Sequence, residues 1–179
     1  TKLTYKLFDD SAANRFDTLV LDATFNSSWT HEHPRDAQYI RDPFVADAQL
    51  AMGGYSHHTK FAHLYINGLY WGMYAIHERT DESFAAEYLG GNKEEYDVLK
   101  DGNQLVNGST SNYQEMFSVA GAGLENDEQY ELLQSYLDVS DFIDYMLVNF
   151  YAGSSDWGHN NWYASRKDRK STRLNSSHW

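Results

Sequence analysis

The stretch Lys60-Phe61-Ala62-His63-Leu64-Tyr65-Ile66-Asn67-Gly68-Leu69-Tyr70-Trp71-Gly72-Met73-Tyr74-Ala75-Ile76-His77-Glu78 decides the reading of the fold. Asn67-Gly68 lies between two runs of aromatic and β-branched residues. That is the signature of a tight turn in which both residues take positive φ. Phe61 to Ile66 and Leu69 to Ile76 are therefore the arms of a β-hairpin. The stripe Tyr65, Tyr70, Trp71 and Tyr74 is expected to form cross-strand core pairs. The alternative for such a stripe is the lining of a carbohydrate groove.

The chain reads outward from this hairpin. Thr80 is expected to cap a short helix with Asp81 and Glu82 in its first turn, where the helix dipole favours negative charge. Phe84, Ala85, Tyr88 and Leu89 form its inner side, and Gly90-Gly91 stops it. Tyr96 to Lys100 reads as a strand and Asp101-Gly102-Asn103 as a turn. Upstream, Leu3 to Phe8 and Phe16 to Ala23 read as strands and Asn26 to Pro34 as a loop. Asp42-Pro43 opens a helix, with Asp as N-cap and Pro in the first position. Phe44, Val45, Ala48 and Met52 are its expected apolar face, and Gly53-Gly54 ends it.

Past residue 104 the signals turn helical. Ser111 with Gln114 and Asn126 with Gln129 read as capping boxes of two helices. A third helix spans about Val139 to Tyr151. Its stripe Phe142, Ile143, Met146, Leu147, Phe150 and Tyr151 is expected to face a core. Gly153 closes it, a loop runs from Ser154 to Asn160, and a strand covers Asn161 to Ser165. Strands followed by helices indicate an α+β class.

Composition narrows function. The 179 residues, 41% apolar, suffice for one domain with a sizeable core. Against 14 basic residues stand 26 acidic ones, a formal charge of −12. That sign repels phosphate backbones and anionic lipid, so neither nucleic acid nor a membrane face is expected as partner. The chain has no cysteine, which excludes disulfides, thiolate metal sites and cysteine nucleophiles. No apolar run approaches the roughly 20 residues of a spanning helix. The start, Thr1-Lys2-Leu3-Thr4, is neither a Met nor a leader segment and reads as the interior of a longer protein.

The chemistry-bearing pattern is Asp156-Trp157-Gly158-His159-Asn160-Asn161. Asp and Asn separated by four residues, between a buried helix and a strand, match the catalytic-loop spacing of protein kinases. In that chemistry the Asp carboxylate orients the attacking hydroxyl and accepts its proton. The Asn carbonyl oxygen ligates a magnesium ion on the nucleotide phosphates. The plainer reading is an Asp and an Asn satisfying turn backbone groups. His31 with His33, and His57-His58, are loop histidines for which zinc ligation is the less favoured reading. His63 and His77 read as cross-strand packing partners. No phosphate loop, dinucleotide fingerprint or nucleophile elbow is present.

Several segments in order resemble the CotH kinase family, the spore coat protein H-like atypical kinases. They are Tyr39-Ile40-Arg41-Asp42-Pro43-Phe44; Leu64 to Tyr74 continuing into Glu78-Arg79; Tyr96-Asp97-Val98-Leu99-Lys100; and Phe142-Ile143-Asp144-Tyr145 through Asp156-Trp157 to Asn161-Trp162-Tyr163. The resemblance covers most of residues 3 to 166. It implies a protein-kinase-like fold in residues 1–170, with a strand-rich lobe over 1–104 and a helical lobe over 105–170. It implies ATP and Mg2+ as cofactors, transfer to Ser/Thr of surface or spore-coat proteins, and an extracellular or spore-surface location. Asp156 takes the catalytic position and Asn161 the metal position, while Lys100 and Glu78 are nominated for the phosphate lysine and its acidic partner. The rival is a non-catalytic pseudokinase or surface-binding coat module.

Two departures stand out. Asp22 lies where relatives carry Arg. The second metal-binding Asp should lie beyond the strand after Asn161, and the only Asp there, Asp168, follows too closely. Residues 171–179 have no periodicity and read as a non-native or disordered tail. On this reading residues 1–179 alone are inactive.

Overall fold

A computed structural model of the chain describes residues 2–30, 34–102, 104–167 and 175–178. His31, His33, Asn103 and Asp168 lie outside the described residues.

The hairpin forms as its turn chemistry demands. Asn67 and Gly68 take φ of 50° and 81°, the paired positive values of a tight hairpin turn. They join β4 (Thr59–Ile66) to β5 (Leu69–Glu78). Three earlier strands are short: β1 (Leu3–Thr4), β2 (Arg15–Phe16) and β3 (Leu19–Asp22). β1 pairs with β2, and β3 joins the hairpin in the order β3-β5-β4, all antiparallel. The expected strands Leu3 to Phe8 and Phe16 to Ala23 are thus trimmed. Asp9 instead turns the chain, its Oδ1 accepting from the backbone N–H of Ser11 at 2.9 Å. Asp22 ends β3 in the same way, accepting from the N–H of Thr24 at 2.8 Å.

A second sheet has the order β7-β6-β8-β9, from β6 (Tyr96–Lys100), β7 (Gln104–Asn107), β8 (Trp162–Lys167) and β9 (Asn175–His178). β8 follows the helices in sequence yet lies beside β6, so this sheet draws on both sides of residue 104. Residues 175–178, inside the segment read as a tail for its lack of periodicity, run along β8.

Five helices complete the fold: α1 (Arg41–Ala51), α2 (Glu82–Leu89), α3 (Ser111–Gly121), α4 (Asp127–Gln134) and α5 (Val139–Ala152). Three caps differ from expectation. α1 starts before Asp42, because the N–H of Phe44 already bonds the Ile40 carbonyl at 2.9 Å. Pro43 still falls among the first positions, where no N–H is needed. α2 is capped by Asp81 rather than Thr80; its Oδ1 accepts from Ser83 N–H at 2.9 Å and Phe84 N–H at 3.2 Å. α3 has Thr110 at its N-cap without a side-chain bond, leaving Ser111 inside the first turn. α4 and α5 carry capping side chains from Asn126 and Asp138.

The core lies where α2 covers the second sheet. Ala85, Tyr96, Val98 and Tyr163 are buried together, with Ala86, Leu89 and Val106 against them. α1 packs on α5; its buried residues are Val45, Ala46 and Gln49, so of the predicted face Val45 is buried while Phe44 and Met52 are exposed. α5 departs further. Its buried side is Tyr145, Val148 and Asn149, while Phe142, Ile143, Leu147, Phe150 and Tyr151 are exposed, Tyr151 to 82%. A helix stripe states that one face is apolar; only its neighbours decide which side they cover.

Candidate functional site

The loop after α5 is set by its anchor. Gly153 ends the helix in the left-handed conformation at φ 64°, and Ser154 N–H returns to the Asn149 carbonyl at 3.1 Å. Trp157 then folds back onto α5. Its indole meets the rings of Tyr145 and Phe150 edge-on, with centroids 5.8 and 5.7 Å away. With Trp157 held inward, neighbouring Asp156 projects outward, its side chain 63% exposed.

Asn161 closes the loop at φ 64°. Asn is one of the few residues with a side chain that tolerates this region. The bend turns its carboxamide toward Asp156: Nδ2 donates to the Asp156 carbonyl at 3.0 Å and to Oδ2 at 3.3 Å. Asn160 Nδ2 donates to Oδ1 at 3.2 Å, and His159 Nε2 lies 3.4 Å from the same oxygen. The sequence pair Asp156 and Asn161 is thus brought together at an accessible rim.

The start of β8 attaches this rim to the end of β6. Lys100 stands opposite Tyr163. Asp101 N–H donates to the Trp162 carbonyl at 3.0 Å, and Trp162 N–H donates to Asp101 Oδ1 at 3.2 Å. Lys100 Nζ is 4.0 Å from Asp101 Oδ2. Lys100 therefore reaches the same end of the sheet as Asn161, with Asp101 as its carboxylate neighbour. Asp101 was read from sequence only as a turn residue; its role as a bridge depends on a strand pairing sixty residues distant, which no local signal carries.

Glu78 is elsewhere, and it does not pair with Lys100. It is 3% exposed. Its Oε2 accepts from the backbone N–H of His58 at 3.0 Å and lies 2.9 Å from His58 Nδ1. Its Oε1 accepts from the Tyr88 hydroxyl at 2.7 Å. Burial, and then the Glu78 charge, push the Tyr88 phenol far up. Ser11 Oγ lies 3.0 Å from His58 Nε2, and Ala13 N–H donates to Tyr88 at 2.9 Å. Glu78 thereby ties the N-terminal segment to β5 and α2. A buried carboxylate gathers such donors because leaving it unpaired costs several kcal/mol, of order 3–5.

Arg79, the next residue, is exposed, and its charge acts on Tyr163, two positions after Asn161. Burial raises the Tyr163 phenol and the Arg79 charge opposes the rise. The cation brought from β5 to this end of the sheet is thus Arg79, which sequence reading passed over because Glu78 drew the kinase analogy.

The histidines also resolve. His57 and His58 lie in the loop between α1 and β4, as expected, but they are buried there. The His57 ring lies tilted against that of His77, with centroids 4.7 Å apart, and burial pushes the His77 imidazole down in pKa. Among the described residues no three His, Asp or Glu side chains gather as a metal-holding group. No described helix is long and apolar enough to cross a membrane.

The rim offers hard oxygen donors, the exposed carboxylate of Asp156 and the half-buried carboxamide of Asn161. That donor set suits Mg2+, which keeps several waters and takes only one or two protein carboxylates beside substrate phosphates. The family model described as CotH kinase protein matches residues 3–176. No curated protein matches the chain.

Proposed function

The chain belongs to the CotH kinase family, and on that footing we propose that its natural protein moves the γ-phosphoryl group of ATP to Ser or Thr hydroxyls of a protein acceptor. The observation that supports this reading is the convergence of Asp156 and Asn161 on one exposed rim. Asp156 would orient the acceptor hydroxyl and take its proton. Asn160 and His159 beside it hold the carboxylate in place. Asn161 would hold the magnesium ion, which would supply charge neutralisation at the phosphates when bound. Lys100 and Arg79, at the same end of the sheet, are the cations available to nucleotide phosphate. Glu78 has a structural place in this scheme and no phosphate role.

The acceptor is proposed to be a basic Ser/Thr-containing segment of a spore-coat or cell-surface protein, because a charge of −12 steers cations toward the rim. The protein would then act outside the cell or on the spore.

The test is phosphate transfer from labelled ATP to a basic Ser-rich peptide, using the natural gene product that carries this chain. Asp156→Asn is expected to lower incorporation by about 10³-fold and to leave the Mg2+-dependent thermal shift by ATP in place. Incorporation surviving in Asp156→Asn would remove Asp156 from the chemistry. A wild-type protein with no Mg2+-dependent shift and no transfer would favour the non-catalytic coat module.

A further inference from the structure

Away from the rim, one cluster sets a serine, a histidine and a carboxylate in hydrogen-bonded series. Ser11 Oγ lies 3.0 Å from His58 Nε2, and His58 Nδ1 lies 2.9 Å from Glu78 Oε2. Both contacts fall in the range that joins a nucleophile to its base and the base to the acid that orients it. The three residues come from the loop between β1 and β2, the loop before β4 and the end of β5. None of them belongs to the Asp156 rim. Glu78, held by the His58 backbone N–H and the Tyr88 hydroxyl, is a fixed acceptor. A carboxylate facing Nδ1 places the ring proton there and leaves Nε2 to the serine. The His58 side chain is 6% exposed. Its ring packs against those of Phe8 and Tyr88, with centroids 6.1 and 6.0 Å away. Ser11, by contrast, is exposed.

We propose that Ser11, His58 and Glu78 form a second site, one that hydrolyses small uncharged carboxylic esters. Ser11 Oγ bonds to the acyl carbon while its proton passes to His58 Nε2. The alcohol leaves with that proton as the carbonyl re-forms, and an acyl-serine remains. Water then runs the steps in reverse. Its oxygen bonds to the acyl carbon and its proton goes to Nε2. That proton returns to Oγ as the bond from Oγ to the acyl carbon breaks, and the carboxylic acid departs. Ester and water thus give acid and alcohol, with no further reactant. Glu78 touches no reacting atom. It is a positioning residue that fixes the imidazole ring and offsets the charge the ring gains.

The surroundings select the substrate. A cavity of about 340 Å³ opens beside His58, and its lining includes Leu7, Phe8, Asp9, Asp47 and Lys60. Leu7 and Phe8 give apolar surface for a short acyl chain. Asp9 and Asp47 disfavour an anionic substrate. Lys60 is the one cation in the described lining, and its charge is available to the carbonyl oxygen as that atom turns negative. In the resting state the Ser11 hydroxyl donates to Asp9 Oδ1 at 2.6 Å. Oγ already stands within reach of Nε2, so only the hydroxyl hydrogen has to turn about the Cβ–Oγ bond.

Labelling with a serine-directed fluorophosphonate, followed by peptide mapping, tests this alongside hydrolysis of p-nitrophenyl acetate. The label is expected on Ser11, together with release of p-nitrophenol. Ser11→Ala, at an exposed position, is expected to keep the circular dichroism spectrum, to lose the label and to lower hydrolysis by at least about 10²-fold. His58→Asn keeps a donor toward Glu78 but removes Nε2, and is expected to slow labelling of Ser11 by at least about tenfold. A wild-type chain that takes no label, a label on any other serine, hydrolysis that Ser11→Ala leaves unchanged, or labelling that His58→Asn leaves unchanged would each overturn the proposal. The series would then stand only as the tie between the N-terminal segment and β5.

Discussion

The β4–β5 hairpin and helix α5 carry equally plain patterns, yet they differ in what those patterns decide. The hairpin is specified by its own turn: Asn67 and Gly68 supply two positive φ values, and strand register follows. α5 is specified by a periodic stripe, and the structure turns that stripe outward while burying Tyr145, Val148 and Asn149. Turn chemistry is local and names one geometry. A stripe names a face but not its covering, because that depends on where α1 and β9 arrive.

The sharpest way to break this contrast is within α5. Tyr145→Ala is expected to cost about 3–5 kcal/mol, the range of large buried aromatics, because its ring also anchors Trp157. Leu147→Ala, half-exposed two residues on, is expected to stay within about 0.5 kcal/mol. Urea unfolding of both variants measures the difference, and equal losses would mean that the outward stripe is packed in solution. A smaller effect sharpens the hairpin side. Gly68→Ala places a Cβ at φ 81° with open space around it, so the backbone conformation alone is penalised, by about 1–2 kcal/mol. A neutral result would mean that register is set by strand pairing rather than by the turn.

The smallest expected effect concerns neither region and serves as their baseline. Asp17 accepts from Ser83 Oγ at 2.6 Å and from Lys93 Nζ at 3.0 Å. These bonds lower its pKa from 3.8 to about 2. A carboxylate depressed in the folded state stabilises fully above its ordinary value, and that contribution fades as pH falls from about 4 to about 2. Asp17→Asn is therefore expected to flatten the acid limb of the melting temperature between those values and to leave the neutral side shifted slightly down. An unchanged acid limb would mean that Ser83 and Lys93 do not hold the carboxylate in solution.

Much of the fold was legible in the sequence for stated physical reasons. The hairpin, α2 with its Gly90 stop, β6 and the extent of α5 all rest on short-range signals. At the site, the Asp156 and Asn161 spacing was readable, and so was the helix behind it. The backward bend at Asn161 was not, since positive φ in Asn has no spacing signature. Lys100 was placed correctly at a strand end, but its supposed partner was not. Glu78 is drawn instead to His58 and Tyr88, contacts twenty and ten residues away that only the folded topology creates. Arg79 and Asp101 were missed for the same reason: each becomes part of the rim through β8, which reaches β6 across five dozen intervening residues.

The indole of Trp157 sits one residue from the carboxylate at the rim and leans on two rings of α5. Its emission colour and near-ultraviolet dichroism therefore report the loop's posture directly. A Trp157→Phe control isolates that signal from the other four tryptophans, giving an optical gauge of whether the loop is seated, without any need for turnover.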